Sequence, residues 1–203
     1  MLPHYNYFAA SIQEYEHGLT SFKITNHFLP PGWLGARVFP AIEAVGETSM
    51  KAMTNLTLSN CSLSSADLVK LVQFLARNET LCSIDISKND VKSLATVNNL
   101  ANAIKQHPCL VHVNLAHCSL GGGDKNDVKK MLAACKDCNS LGIGHPNFGS
   151  EGVALVAKFL GRKNSLTAFS LTGAQVDKNN KELLTASLVK SKNIFRSIIP
   201  NCQ

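Results

Sequence analysis

Three groups of residues in this chain have types and spacings that could do chemistry. Cys135-Lys136-Asp137-Cys138 is a CxxC pair, a spacing used by dithiol redox centres and by half of many zinc sites. A redox CxxC opens a helix. Here the pair closes one, and both sulfurs fall on inward positions of a recurring pattern, so they read as structural thiols. Gly121-Gly122-Gly123-Asp124-Lys125 is glycine-rich but lacks the spacing and the Lys-Ser/Thr pair of a phosphate loop, and reads as a flexible turn. Lys88, His117 and His145 hold the same position in successive copies of the pattern. Strands about 4.8 Å apart would set them in a column with His112 beside it. No carboxylate converges there, so the column reads first as plainly solvated side chains and next as a basic, pH-sensitive contact strip, ahead of a metal site. No nucleophile stands at motif spacing from a base, no carboxylates pair, and no cofactor fingerprint is present. The expectation is a protein without enzymatic activity, cofactor or metal.

The elements that position these residues come from a repeat. Its template is Met53-x-x-Leu56-x-Leu58-x-x-Cys61-x-Leu63, followed by an amphipathic helix. Copies begin at Leu81, Leu110, Cys138 and Leu166, and a partial copy begins at Ile194, at spacings of 28, 29, 28, 28 and 28 residues. Alternating apolar residues put one face of a short strand inward. The ninth position, Asn or Cys, is placed to satisfy backbone groups where the chain leaves the strand. Ser64 and Asp67 form a capping pattern for the first regular helix, whose face is Leu68, Leu71, Val72 and Leu75. A looser copy, Leu19-x-x-Phe22-x-Ile24-x-x-His27-x-Leu29, precedes Pro30-Pro31-Gly32 and a helix predicted over 33–45 despite Pro40. A short aromatic helix is predicted over 7–16. The expected organisation is one domain over 1–203: an atypical cap and first repeat over 1–52, five regular repeats over 53–193 and a partial repeat over 194–203.

The motif L-x-x-L-x-L-x-x-N/C-x-L, its period, and Gly149-Ser150-Glu151-Gly152-Val153 followed by Ala157-Lys158-Phe159-Leu160 resemble leucine-rich repeats of the ribonuclease-inhibitor-like subfamily. Pro146, Ala174 and Ser197 depart from the pattern. The resemblance implies an α/β leucine-rich-repeat solenoid, a horseshoe arc with parallel strands on the concave face and helices on the convex face. It also implies a function of binding another protein. One branch of that family, the Ran-directed GTPase-activating proteins, gives an enzyme-like alternative for which Arg37 is the candidate residue. This sequence lacks the acidic tail of that branch.

Composition narrows the function classes. The chain has 203 residues, 45% hydrophobic and 17% charged, enough for a core. No apolar run reaches the roughly 18 residues of a membrane span, and the first residues do not read as a signal peptide. Seven cysteines without an export signal predict reduced thiols and a cytoplasmic location. The net charge of +6 admits an acidic partner surface, while scattered lysines argue against direct nucleic-acid binding. A basic accessory subunit of a ribonucleoprotein is a further alternative. The outward strand positions are small and poor in Trp, Tyr and Arg, so docking is expected at the two ends of the stack. The candidate partner-binding residues are Tyr5, Tyr7, Phe28, Trp33 and Arg37 near the start, Lys88, His117 and His145 in the column, and Ile194 and Ile199 on a terminal edge strand.

Overall fold

The computed structural model describes residues 19–44, 52–91, 94–120, 124–162, 165–191 and 193–199. Tyr5, Tyr7, the 7–16 helix, Gly121 to Gly123 and Cys202 lie outside the described residues.

Among the described residues, seven parallel strands form one sheet in sequence order. They are β1 (Ser21–Thr25), β2 (Asn55–Ser59), β3 (Ser83–Asp85), β4 (His112–Ala116), β5 (Ser140–Gly144), β6 (Ala168–Ser170) and β7 (Arg196–Ile198). The helices between them are α1 (Phe39–Ala44), α2 (Ser65–Arg77), α3 (Leu94–Gln106), α4 (Lys125–Ala134), α5 (Gly149–Leu160) and α6 (Lys178–Lys190). Register keeps equivalent positions in line, so Leu56, Ile84, Val113, Leu141 and Phe169 stack across β2 to β6. These residues are buried with Leu71, Leu100, Met131, Val156 and Leu184 from the helices. The repeat anchors therefore make one continuous core between sheet and helices, each fully buried aliphatic side chain contributing about 1.5–3 kcal/mol.

The ninth-position residues act as expected. Asn89 Oδ1 accepts the Cys61 and Leu63 amides at 3.0 and 3.2 Å, and its Nδ2 donates to Leu58 O and Ile86 O at 2.7 and 2.8 Å. Cys118 Sγ donates to Ile86 O at 3.2 Å, doing part of the same task with one donor. Burial pushes the Cys118 thiol up to about 12. Cys135 caps the end of α4 and is fully buried. Its thiol, hydrogen-bonded to Cys138 and buried, is held well above the ordinary thiol range, which fits a structural group. Cys82 is half-buried, and Cys109 is the exposed thiol among the described residues.

The first unit differs from the helix expected over 33–45. A π-helical turn, Leu34–Val38, precedes α1. The Phe39 amide closes it on Leu34 O, and Pro40, without an amide hydrogen, sits where the next backbone bond would be donated. Asp67 ties this turn down. It completes the capping box with Ser64, and also accepts from Gly32 N and Leu34 N, both at 3.0 Å. Phe39 and Phe74 stack with ring centroids 5.1 Å apart, joining α1 to α2. Trp33 is part of this core at 8% exposure. This corrects its assignment as a partner contact: a large apolar ring beside the first helix finds more burial inside than outside. Phe28, at 76% exposure, is the outward aromatic among the described residues of the unit.

Candidate functional site

The sheet face away from the helices carries a hollow of about 630 Å³ running from β2 to β7. Besides the core-facing Ile84, Val113, Leu141 and Phe169, its lining comes mainly from the outward strand positions and the residues past the strand ends. Among them are Lys88, His112, His117 and Arg196, with Asp85 as the carboxylate.

Local backbone geometry places Lys88 and His117. At the strand exit the chain turns toward the helix layer, and after β1, β2, β3, β4 and β6 it does so with a residue in a left-handed conformation, directly after the strand or three residues beyond it. Asn26, Asn60, Lys88 and His117 have φ of 59°, 55°, 59° and 59°, and Gly173 has 92°. The turned amides extend the ladder: Asn60 N donates to Ser87 O at 2.9 Å, Lys88 N to Ala116 O at 2.9 Å and His117 N to Gly144 O at 2.6 Å. A side chain other than Asn or Gly loses about 1–2 kcal/mol in this conformation. The aligned Asn and Gly at 26, 60 and 173 were the sequence signal for it.

His145 breaks the column. It has φ −155° and ψ 149°, and its Nδ1 accepts the Asn147 amide at 3.1 Å, capping a 3-10 turn over Pro146–Phe148. Pro146 is the cause, because the residue before a proline is confined to extended conformations. Gly144, at φ 143°, carries the irregularity instead. His145 is therefore not among the residues lining the hollow. The His117 ring leans past its place toward Gly173, where a Cβ would stand 2.5 Å from His117 Nδ1. Lys88 and His117 remain together on the groove, and Gly173 completes the run in place of His145.

The lone carboxylate of the hollow is committed within the protein. Asp85 Oδ1 accepts the Ser87 amide and Oδ2 accepts from Asn114 Nδ2, both at 2.9 Å. Asn114 Oδ1 accepts the Ala116 amide at 3.1 Å and lies against Gly142, where a Cβ would be only 2.4 Å away. The floor is thus held rigid by a polar chain and kept low by glycine, while the cationic and imidazole groups stand above it. The exposed chemistry of the hollow is basic and hydrogen-bonding.

The terminal edge behaves differently from expectation. Ile194 and Ile199 are half-buried and pack against the core, so they are supports rather than the exposed contact. The outward apolar groups are Phe195 at 87% and Ile198 at 50% exposure. Arg196 and Ile198 join this edge to the hollow. The sequence reading missed both by following the inward alternation from Ile194. Arg37 is exposed on the π-helical turn of the first unit, away from this groove. Among the described residues, no cluster of three or more metal-ligating side chains occurs, and no helix is long and apolar enough to cross a membrane.

No family model matches the chain. It is 29% identical over 150 residues to a mouse protein described as NACHT, LRR and PYD domains-containing protein 4E, covering 72% of this chain and 15% of the relative. To the mouse protein 4C of the same description it is 25% identical over 149 residues, with 72% and 15% covered. A cattle protein, NACHT, LRR and PYD domains-containing protein 5, is 28% identical over 108 residues, 53% of this chain and 10% of the relative. The chain spans 10–15% of the length of these relatives and is distantly similar to leucine-rich-repeat-containing proteins.

Proposed function

We propose that this chain is a non-enzymatic protein-binding module, a leucine-rich-repeat solenoid of the ribonuclease-inhibitor-like kind. In that arc the open sheet face is the concave one, and the partner lies along it from Lys88 past His117 to Arg196 and Ile198. The observation that carries the reading is the continuity of the hollow with the β7 edge, which joins polar, basic and apolar contact groups on one surface. Interfaces concentrate their energy where apolar anchors sit beside charged groups that meet their complement. Exposed Phe195 and Ile198 supply the anchors, and Lys88 and Arg196 favour an acidic face on the partner. The distant similarity to proteins whose names include an LRR domain supports a role in protein contacts. A cytoplasmic setting is part of the same proposal and rests on the thiol-rich composition.

The test is capture of partners from cell extract by the wild-type chain and by a Lys88→Glu/Arg196→Glu variant, with Phe195→Ser as a second variant. Partners held by the wild type and lost from these variants support the reading. Retention of every partner by both variants, each shown to be folded by circular dichroism, removes it.

A further inference from the structure

A second surface lies on the helix layer, on the other side of the protein from the hollow. A cleft of about 230 Å³ opens between α4 and α5, lined by Lys129, Leu132, Ala133, Leu155, Lys158, Phe159 and Arg162. Its origin is local. The α4 helix has 10 residues where α2, α3 and α6 have 13, and it packs on α5 more loosely than α5 packs on α6. Ala133 leaves the rim low, so the side chains of Leu155 and Phe159 are only half covered.

The charge around the cleft is one-sided. The acidic residue of α4, Asp127, lies 3.7 Å from Lys130 Nζ, and that of α5, Glu151, lies 3.1 Å from Lys125 Nζ. Each thus already faces a lysine outside the lining, while among the described residues the lining holds Lys129 on α4, Lys158 on α5 and no carboxylate. Cations on facing walls repel across the cleft, and the repulsion is relieved by an anionic occupant. An apolar floor between cationic walls calls for an occupant with one apolar side chain between carboxylates.

We propose that the α4–α5 cleft docks an acidic segment of a partner protein, which inserts one apolar side chain over Leu132, Leu155 and Phe159 and sets its carboxylates against Lys129 and Lys158. A lipid surface fits less well. The large apolar side chains exposed among the described residues are Phe28, Val69, Leu183, Val189, Phe195 and Ile198, and none of them lines this cleft. A recess accepts a side chain, whereas membrane insertion requires protruding ones.

The experiment uses the full chain and a fluorescein-labelled peptide with a central leucine flanked on both sides by glutamates, read by fluorescence anisotropy. Binding is expected to weaken at least about tenfold with Lys129→Glu/Lys158→Glu, and to weaken with added salt. Ala133→Phe, at an exposed helix position, is expected to fill the cleft and abolish the gain from the central leucine over a serine-centred peptide. Lys88→Glu/Arg196→Glu, on the opposite surface, is expected to leave this binding unchanged, so failure here is separate from failure of the sheet-face reading. Absence of peptide binding, equal binding of a lysine-flanked peptide, or indifference to Ala133→Phe would overturn the proposal. So would association only with phosphatidylserine vesicles.

Discussion

Asp67 Oδ1 accepts the backbone amide of Leu34 at 3.0 Å, across a sequence separation of 33 residues. The same carboxylate caps its own helix, so one buried side chain both starts α2 and holds the irregular first unit against it. Asp67→Ala is expected to destabilise the protein by about 3 kcal/mol, because it strips the carboxylate acceptor from the buried Leu34 amide and the part-buried Gly32 and Ser64 amides. Asp67→Asn, which keeps one acceptor oxygen, should lose less. Urea titration followed by circular dichroism measures both. A loss under about 1 kcal/mol for Asp67→Ala would show that the first unit is held by packing alone.

Asn89 performs the corresponding task between β2 and β3. Asn89→Ala leaves the Cys61 and Leu63 amides and the Leu58 carbonyl without this partner, and should lose about 3 kcal/mol. Asn89→Cys should lose less, since Cys118 bonds a strand carbonyl from the same repeat position. The ordering of the two midpoints in urea is the check.

Lys88 holds a left-handed conformation at φ 59° without the relief that Asn or Gly gives. Lys88→Gly is expected to leave stability unchanged or raise it by up to about 1 kcal/mol, and Lys88→Val to lower it by more than 1 kcal/mol. A Lys88→Gly variant that keeps its stability while losing a partner separates the role of the side chain from that of the turn.

His107 gives stability a pH dependence. Its Nδ1 accepts the Cys109 amide at 3.3 Å. Burial pushes its pKa down, against the Asn78 backbone and the charge of Glu79, which pull it up. With the folded pKa below the unfolded value of about 6.5, the unfolded chain takes up the proton more readily. Stability from the neutral ring is therefore complete above about pH 6.5 and declines as pH falls through the folded pKa. His107→Asn should flatten this part of the acid limb while keeping the turn, because Asn78 already accepts Thr80 N and Leu81 N at the equivalent place. Thermal melts across the acid range compare the two.

Cysteine reactivity should follow burial. Among the described cysteines, Cys109 is expected to alkylate first and Cys82 more slowly. Cys118, with its pKa pushed up to about 12, should react only after unfolding. Peptide mass spectrometry after timed iodoacetamide treatment gives the order, and early labelling of Cys118 would contradict the buried strand position.

The sequence by itself determined the strand–helix alternation, the inward anchors and the Asn and Cys at the strand exits. The reason is physical: each of these is a local choice repeated at one period, and stacked copies must bury equivalent residues. Its polar column was legible for Lys88 and His117 and wrong for His145. Pro146, one residue later, was the overlooked cause, so that part of the site was readable but not read. Tertiary structure alone decided the rest. Whether Trp33 faced a partner or the core depended on how the π-helical turn met α2. The path of the hollow to Arg196 and Ile198 depended on registry across the five strand pairings from β2 to β7. The cleft between α4 and α5 depended on a short helix packing beside a longer one. These are relations between elements distant in the chain, set by packing against a shared core, and no window of sequence contains both sides of them.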